Sequence, residues 1–169
     1  MAVENNFVFL TVGTTSFDLL IETVSKKEIC QVLKDAGYTK LLLQIGRGTF
    51  EPQDEHPIAG FTVEYYRYKD SISADIKNSS LVISHAGAGS VMESLGAGKP
   101  LVVVINEELM GNHQMELANQ LYKDGHLFYC TCRQLNDVLQ NLNIGALKPY
   151  KPGDPKVFSN FLDKIMGVS

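Results

Sequence analysis

Two patterns of apolar and polar positions alternate along this chain. Short runs of nearly continuous apolar residues are typical of strands that are buried on both faces of a parallel sheet. Between them, apolar residues recur at spacings of three and four, which is typical of amphipathic helices. The apolar runs predict six strands, at residues 7–12, 40–45, 61–65, 81–84, 101–105 and 126–130.

The intervening stretches predict helices, and three of them are closed by a glycine, at Gly37, Gly96 and Gly125. These helices cover residues 17–24, 26–36, a short segment with Ile72 and Ile76, 91–95, 113–123, 134–142 and 155–169. Strands that alternate with helices predict an α/β fold around a largely parallel sheet. We expect one domain, residues 1–169, whose last helix packs on its own sheet or docks on a partner chain.

Composition narrows the possible functions. A net charge of −4 argues against a nucleic-acid partner. The cysteines fit neither a disulfide framework nor a zinc site, so we expect buried, reduced thiols at Cys30, Cys130 and Cys132. The polar start MAVENN does not have the pattern of a signal peptide, and no apolar run approaches the length of a membrane span. We therefore expect a cytosolic chain that meets a membrane only through a partner.

The most informative stretch, SHAGAGSVMESLGAGKP, covers residues 84–100. It follows the fourth strand. Two glycines, Gly87 and Gly89, come next with a single alanine between them, and a helical pattern begins after Ser90. Glycines let a ligand lie against bare backbone, and the free amides at the start of a helix attract anions. A ligand that carries a diphosphate is therefore the first hypothesis, with Ser90 donating its hydroxyl and His85 donating a ring N–H or carrying positive charge beside it.

Glu93 has two interpretations. A carboxylate three residues after Ser90 suits the two hydroxyls of a ribose. Ser90 and Glu93 also match a capping box, in which both side chains bind only backbone amides. The capping box does not account for His85 and the glycines upstream.

Other strands end in turns that can reach the same place. Residues 13–16, Gly-Thr-Thr-Ser, follow the first strand, and Arg47 lies in the turn after the second. A capped loop and a solvated arginine are the plain alternatives. Because ligands bind at the carboxyl ends of parallel strands, these turns can converge on one crevice.

The motif His85-x-Gly87-x-x-Ser90-x-x-Glu93 resembles the signature of GT-B nucleotide-sugar glycosyltransferases. Gly98-x-Pro100 and the sequence Asn-His-Gln at residues 112–114 fit the same pattern. From about Phe7 to the last helix, the chain is similar to the soluble catalytic subunits of two-chain UDP-GlcNAc transferases, in glycosyltransferase family 28. Segments that carry this resemblance include FLTVGTTSFDLLI, LLLQIGRGT, YRYKDSI and GKPLVVVINEELMGNHQ.

The resemblance implies a Rossmann-like domain equivalent to the C-terminal, donor-binding half of a GT-B enzyme. It implies inverting transfer of GlcNAc from UDP-GlcNAc to dolichyl-diphosphate-GlcNAc, forming a β-1,4 linkage. The acceptor half would be a separate, membrane-anchored subunit that recruits this chain to the cytosolic face of the endoplasmic reticulum. No cofactor or metal is implied. The alternative is a non-catalytic nucleotide-binding or structural subunit, although the Gly-x-Gly-x-x-Gly dinucleotide fingerprint is absent from the first turn.

The resemblance also implies roles for single residues. The diphosphate would be bound by Gly87, Ala88, Gly89 and Ser90, with His85 beside it to stabilise the leaving group, and the ribose by Glu93. The uracil would be cradled by Tyr68, Lys69 and Ile72, for which a surface loop and a core helix are the alternative. The sugar would be read by Asn112, His113 and Gln114, although relatives commonly have Asp or Glu where this chain has His113. Gly13 and Thr14 would face the donor diphosphate or the acceptor.

Overall fold

The apolar runs form one sheet of six parallel strands. The structure is a computed structural model that describes residues 6–52, 58–107 and 112–150, with the backbone alone for residues 112–115. The strands are β1 (Phe7–Thr11), β2 (Lys40–Gln44), β3 (Thr62–Tyr66), β4 (Leu81–His85), β5 (Leu101–Ile105) and β6 (Phe128–Thr131). All six predicted strands are confirmed, and their ends differ from the predictions by at most two residues.

The strands lie in the order β3-β2-β1-β4-β5-β6. β1 therefore has β2 on one side and β4 on the other, both parallel to it. From β1 the chain proceeds outward through β2 to β3, and it then returns to the centre to continue through β4 in the other direction. In a sheet of this kind the reversal leaves a crevice at the carboxyl ends of the two central strands.

Helices connect the strands. They are α1 (Asp18–Ser25), α2 (Lys27–Asp35), α3 (Ser73–Asn78), α4 (Ala88–Gly96), α5 (Asn112–Lys123) and α6 (Leu135–Gln140), with short 3-10 turns at Cys132–Gln134 and Ile144–Ala146. Gly37 follows α2 with φ +103°, as expected of the glycine that ends a helix. The predicted helix at residues 155–169 lies outside the described residues.

The sheet is covered on both faces, as the alternating pattern predicts. Along β1, Val8 and Leu10 belong to a core that includes side chains of α1, α2 and α6. Phe7 and Phe9 belong to a second core with side chains of α4 and α5. Every residue of β1 and β5 is buried. The three cysteines are buried free thiols, which confirms that prediction. Among the described residues, no helix combines the length and the apolar character needed to cross a membrane.

Candidate functional site

The first and fourth strands bring two glycine turns to the same place. β1 and β4 are parallel neighbours whose last paired residues are Thr11 and Ser84. The turns that follow them therefore leave the sheet side by side. Gly13 adopts φ +67°, a left-handed conformation that favours glycine. This confirms the expected meeting of these turns at one end of the sheet.

The ring of His85 lies between the two turns. A Cβ atom added to Gly13 would come within 3.0 Å of Nε2 of His85, and one added to Gly87 would come within 2.6 Å of the same nitrogen. Neither turn leaves room for a side chain, so the glycines let both backbones touch the imidazole. The histidine and the two glycines are one packed unit.

Burial determines the charge of His85. It lowers the pKa of this histidine from 6.5 to about 4. The imidazole is therefore neutral at neutral pH, with one nitrogen that donates a hydrogen bond and one that accepts. Of the two roles predicted for His85, donation of a ring N–H is the one that agrees with this environment.

Helix α4 begins earlier than predicted. Its first residue is Ala88, and Gly87 precedes it in an extended conformation. The predicted start after Ser90 was wrong by three residues, because glycines in a first turn look like a loop in the sequence. The backbone N–H groups of Ala88, Gly89 and Ser90 are those of the first turn, and no side chain caps them. Free amides at the positive end of a helix dipole are groups that attract anions.

Ser90 and Glu93 do not form a capping box. Ser90 lies inside α4, so it is not in the capping position. The carboxylate of Glu93 instead accepts a hydrogen bond from the hydroxyl of Ser73, at the start of α3. Because Glu93 is exposed at this end of the sheet, its second oxygen can accept hydrogen bonds from a ligand.

The segment predicted to cradle a base lies between β3 and α3. The Lys69 ammonium lies 3.0 Å from the Asp75 carboxylate and 4.3 Å from the centre of the Tyr66 ring. The side chain of Ile72 packs partly against the core. Tyr68, 59% exposed, is the large side chain that this segment presents to solvent. Lys69 and Ile72 are thus held by the protein itself, and any contact of theirs with a base would come through the backbone.

Asp75 anchors this segment. Its carboxylate also accepts a hydrogen bond of 2.6 Å from the hydroxyl of Tyr66. Burial, together with the hydrogen bond and the charge of Asp75, raises the pKa of Tyr66 above its ordinary value of 10.0. Neither Ser73 nor Asp75 was predicted as a site residue, and the sequence gives no local signal for either of them.

A second set of contacts ties the turn after β2 to α1 and β3. Asp18 accepts hydrogen bonds from the amide of Thr49 at 3.1 Å and from its hydroxyl at 2.8 Å. Partial burial raises the pKa of Asp18, but these bonds, the amide of Phe50 and the charge of Arg67 outweigh it and lower that pKa overall. The side chain of Arg47 is exposed, and it makes no hydrogen bond or ion pair to the residues that the structure describes.

The residues predicted to bind the sugar are the first residues of the helix after β5. Asn112, His113 and Gln114 form the first turn of α5. β5 is the neighbour of β4, so this turn lies at the same end of the sheet as the glycine turns.

One cavity lies apart from the glycine turns after β1 and β4. A groove of about 800 Å³ runs between the α1–α2 junction and the edge strand β3, and none of the predicted site residues lines it. Within the described ranges, no three His, Cys, Asp or Glu side chains are grouped as metal ligands would be.

Known proteins resemble the chain over most of its length. The model of the glycosyltransferase family 28 C-terminal domain matches residues 7–166. UDP-N-acetylglucosamine transferase subunit ALG13 of Homo sapiens is 62% identical over 128 residues, which cover 76% of this chain and 11% of the relative. The protein of the same name from Saccharomyces cerevisiae is 31% identical over 194 residues, which cover 95% of this chain and 96% of the relative.

Solved structures confirm the fold. The NMR structure of ALG13 superimposes with a TM-score of 0.71 at 27% identity, covering 95% of this chain and 96% of that one. Acinetobacter baumannii MurG gives a TM-score of 0.61 at 21% identity, covering 87% of this chain and 44% of that one. The Rossmann-like architecture predicted from the GT-B resemblance is thereby confirmed.

The match differs in extent among relatives. This chain spans 11% of the human relative and 96% of the yeast relative. Since the family model covers nearly the whole chain, this protein belongs to glycosyltransferase family 28 and carries its C-terminal domain.

Proposed function

We propose that this chain is the donor-binding, catalytic subunit of an inverting glycosyltransferase that works with a membrane-anchored partner. The donor is UDP-GlcNAc, and the acceptor is dolichyl-diphosphate-GlcNAc, which becomes a β-1,4-linked disaccharide. The observation that carries the proposal is the uncapped start of α4 beside His85, at the meeting of two glycine turns. The name of the relatives, UDP-N-acetylglucosamine transferase subunit, supports both the donor and the need for a partner.

The start of α4 suits the diphosphate. The N-terminus of a helix carries about half a positive charge, concentrated on the amides of its first turn. No acidic residue occupies the first turn of α4, so nothing on the helix competes for these amides. The Ser90 hydroxyl lies in the same turn and adds a donor. The diphosphate therefore binds at residues 87–90.

The rest of the donor extends to either side. Glu93, one turn further along α4, accepts from the ribose hydroxyls. The uracil lies against the backbone of residues 68–72, since Lys69 is already paired with Asp75. The GlcNAc reaches the first turn of α5, where Asn112 and Gln114 bind its hydroxyls. Gly13 and Thr14 border the space between the donor and the acceptor.

The reaction places negative charge where this chain has donors. The bond between the anomeric carbon and the β-phosphate oxygen breaks, and the acceptor hydroxyl oxygen attacks that carbon from the opposite face. The oxygen of the departing UDP gains charge, which the α4 amides and the neutral His85 N–H stabilise. A general base takes the acceptor proton, and we assign it to the partner. Asp18, the acidic residue nearest to Gly13 in sequence, is already engaged by Thr49.

The partner also explains the location. In this proposal the chain contributes the donor half, and the partner supplies the acceptor half and the membrane anchor at the cytosolic face of the endoplasmic reticulum. The helix predicted at residues 155–169 is the segment that we propose docks on it. Deletion of that helix abolishes partner binding and leaves the rest of the domain folded if this is correct. Loss of the fold on deletion would mean that the helix packs on its own sheet.

The proposal is tested by a transfer assay with UDP-GlcNAc and a lipid-diphosphate GlcNAc acceptor, with and without membranes that contain the partner. Two variants of α4 sharpen it. A side chain at Gly89 or Gly96 would project into open space. Gly89→Asp adds negative charge to the first turn, which stabilises the helix but repels a diphosphate. Gly96→Asp places the same group at the other end of the helix.

We expect transfer only when the partner is present. Gly89→Asp should lower the affinity for UDP at least about tenfold, since its carboxylate repels the diphosphate and competes for amide hydrogen bonds that contribute about 1.5–3 kcal/mol each. Gly96→Asp should bind UDP normally. Equal UDP binding by both variants and by the wild type would contradict the diphosphate site, and normal transfer by Gly89→Asp would favour a structural subunit instead.

A further inference from the structure

Helix α3 touches both parts of the proposed nucleoside site. Its first residue, Ser73, donates a hydrogen bond from its hydroxyl to Oε2 of Glu93, on the neighbouring helix α4. In its first turn Asp75 holds Tyr66, which precedes the segment expected to contact the base, and Lys69, which lies within it. The start of α3 therefore links the base segment to the carboxylate expected to bind the ribose.

The hydroxyl of Ser73 is itself oriented. Ser71 donates from its hydroxyl to that of Ser73 at 3.1 Å, and it accepts from the Ser73 amide at 3.2 Å. The Ser73 oxygen accepts from Ser71 through one lone pair, and its hydroxyl proton is directed to Glu93. The hydrogen bonds run in one direction, from Ser71 through Ser73 to the carboxylate.

We propose that Ser73 is a positioning residue for nucleoside recognition. This inference rests on the proposed function, because it takes Glu93 as the group that binds the ribose. Ser73 holds one carboxylate oxygen of Glu93 and so selects the side-chain rotamer that presents the other oxygen to the ribose hydroxyls. Without Ser73 the exposed glutamate samples several rotamers, and the ribose has to order it on binding.

The test measures binding of two nucleotides to the full chain by titration calorimetry. UDP carries both ribose hydroxyls, and 2′,3′-dideoxyuridine diphosphate lacks them. Ser73→Ala removes the hydroxyl, and Ser73→Thr keeps it. Ser25→Ala is the control, since the Ser25 hydroxyl binds the Ile21 carbonyl within α1, away from α3 and α4.

Ser73→Ala should weaken UDP binding about fivefold to tenfold, the size of one hydrogen bond's effect. It should change the affinity for the dideoxy nucleotide by less than about twofold. Ser73→Thr and Ser25→Ala should bind both nucleotides as the wild type does. When combined with Glu93→Gln, Ser73→Ala should cost nothing further, because both changes act through one carboxylate.

Three results would overturn the positioning role. Equal losses for both nucleotides would mean that Ser73 supports only the local fold. Tighter UDP binding by Ser73→Ala would mean that the serine competes with the ribose for Glu93. An additive loss of affinity in the double variant would mean that Ser73 and Glu93 act independently of each other. A different result, in which the wild type does not bind UDP or Glu93→Gln has no effect on it, would overturn the proposed function and this inference with it.

Discussion

The environment of His85 predicts how the stability of the fold depends on pH. The pKa of this histidine is about 4 in the folded chain and 6.5 in its ordinary state. Below about pH 6.5 the unfolded chain takes up a proton that the folded chain refuses, so the free energy of unfolding falls as the pH is lowered. The loss reaches about 2 kcal/mol at about pH 5 and about 3 kcal/mol at about pH 4.

The measurement is urea unfolding of the wild type and of His85→Gln at neutral pH and at about pH 5. Glutamine does not titrate, so its variant keeps the pH dependence of every other group and loses only that of His85. The substitution can also change stability at both pH values, and this effect cancels in the comparison. Between the two pH values, the wild type should lose about 2 kcal/mol more than His85→Gln does.

Equal losses in the two proteins would refute the reasoning. That result would mean that the imidazole is hydrated or finds an acidic partner when the pH falls, and that it does not lie dry between Gly13 and Gly87. A smaller loss in the wild type than in His85→Gln would be stronger still, because it would show that the fold prefers the protonated ring. In that second case His85 could carry positive charge beside a diphosphate at neutral pH.

Two further substitutions test the turns around the site. Gly13→Ala should lower the free energy of unfolding by about 1–2 kcal/mol, because φ is +67° there and the new methyl group meets His85. The control, Gly96→Ala, adds its methyl group in open space and should not be destabilising. Asp18→Ala should lower the free energy of unfolding by about 1–2 kcal/mol at neutral pH by releasing Thr49, whereas Glu22→Ala on the same helix should change it little. The contribution of Asp18 should disappear as the pH falls through its lowered pKa. Equal losses of stability in these two variants would contradict the role of Asp18.

The sheet was predictable because its signal is local. Strands such as β1 and β5 are buried along their whole length, so each is a run of apolar residues in the sequence. The start of α4 was missed for a local reason too. Glycine is a poor helix former, and Gly87-Ala-Gly89 therefore predicts a turn. In the fold the first turn of the helix accepts Gly89, and the missing side chains leave its amides open.

The contacts of Glu93 could not be predicted from the sequence. Ser90 and Glu93 have the spacing of a capping box, and nothing local says that the helix has already begun. The true partner of Glu93 is Ser73, on another helix, and the two meet only because α3 and α4 pack side by side. The low pKa of His85 has the same origin, since Gly13, which covers the ring, comes from a distant part of the chain.

The topology explains why residues so far apart in sequence form one unit. The connection after β1 leads outward to β2, and the connection after β4 leads outward to β5 on the other side. The two turns thus leave adjacent strands in opposite directions and open a crevice between them. His85, the last residue of β4, is the side chain that the crevice places against both backbones.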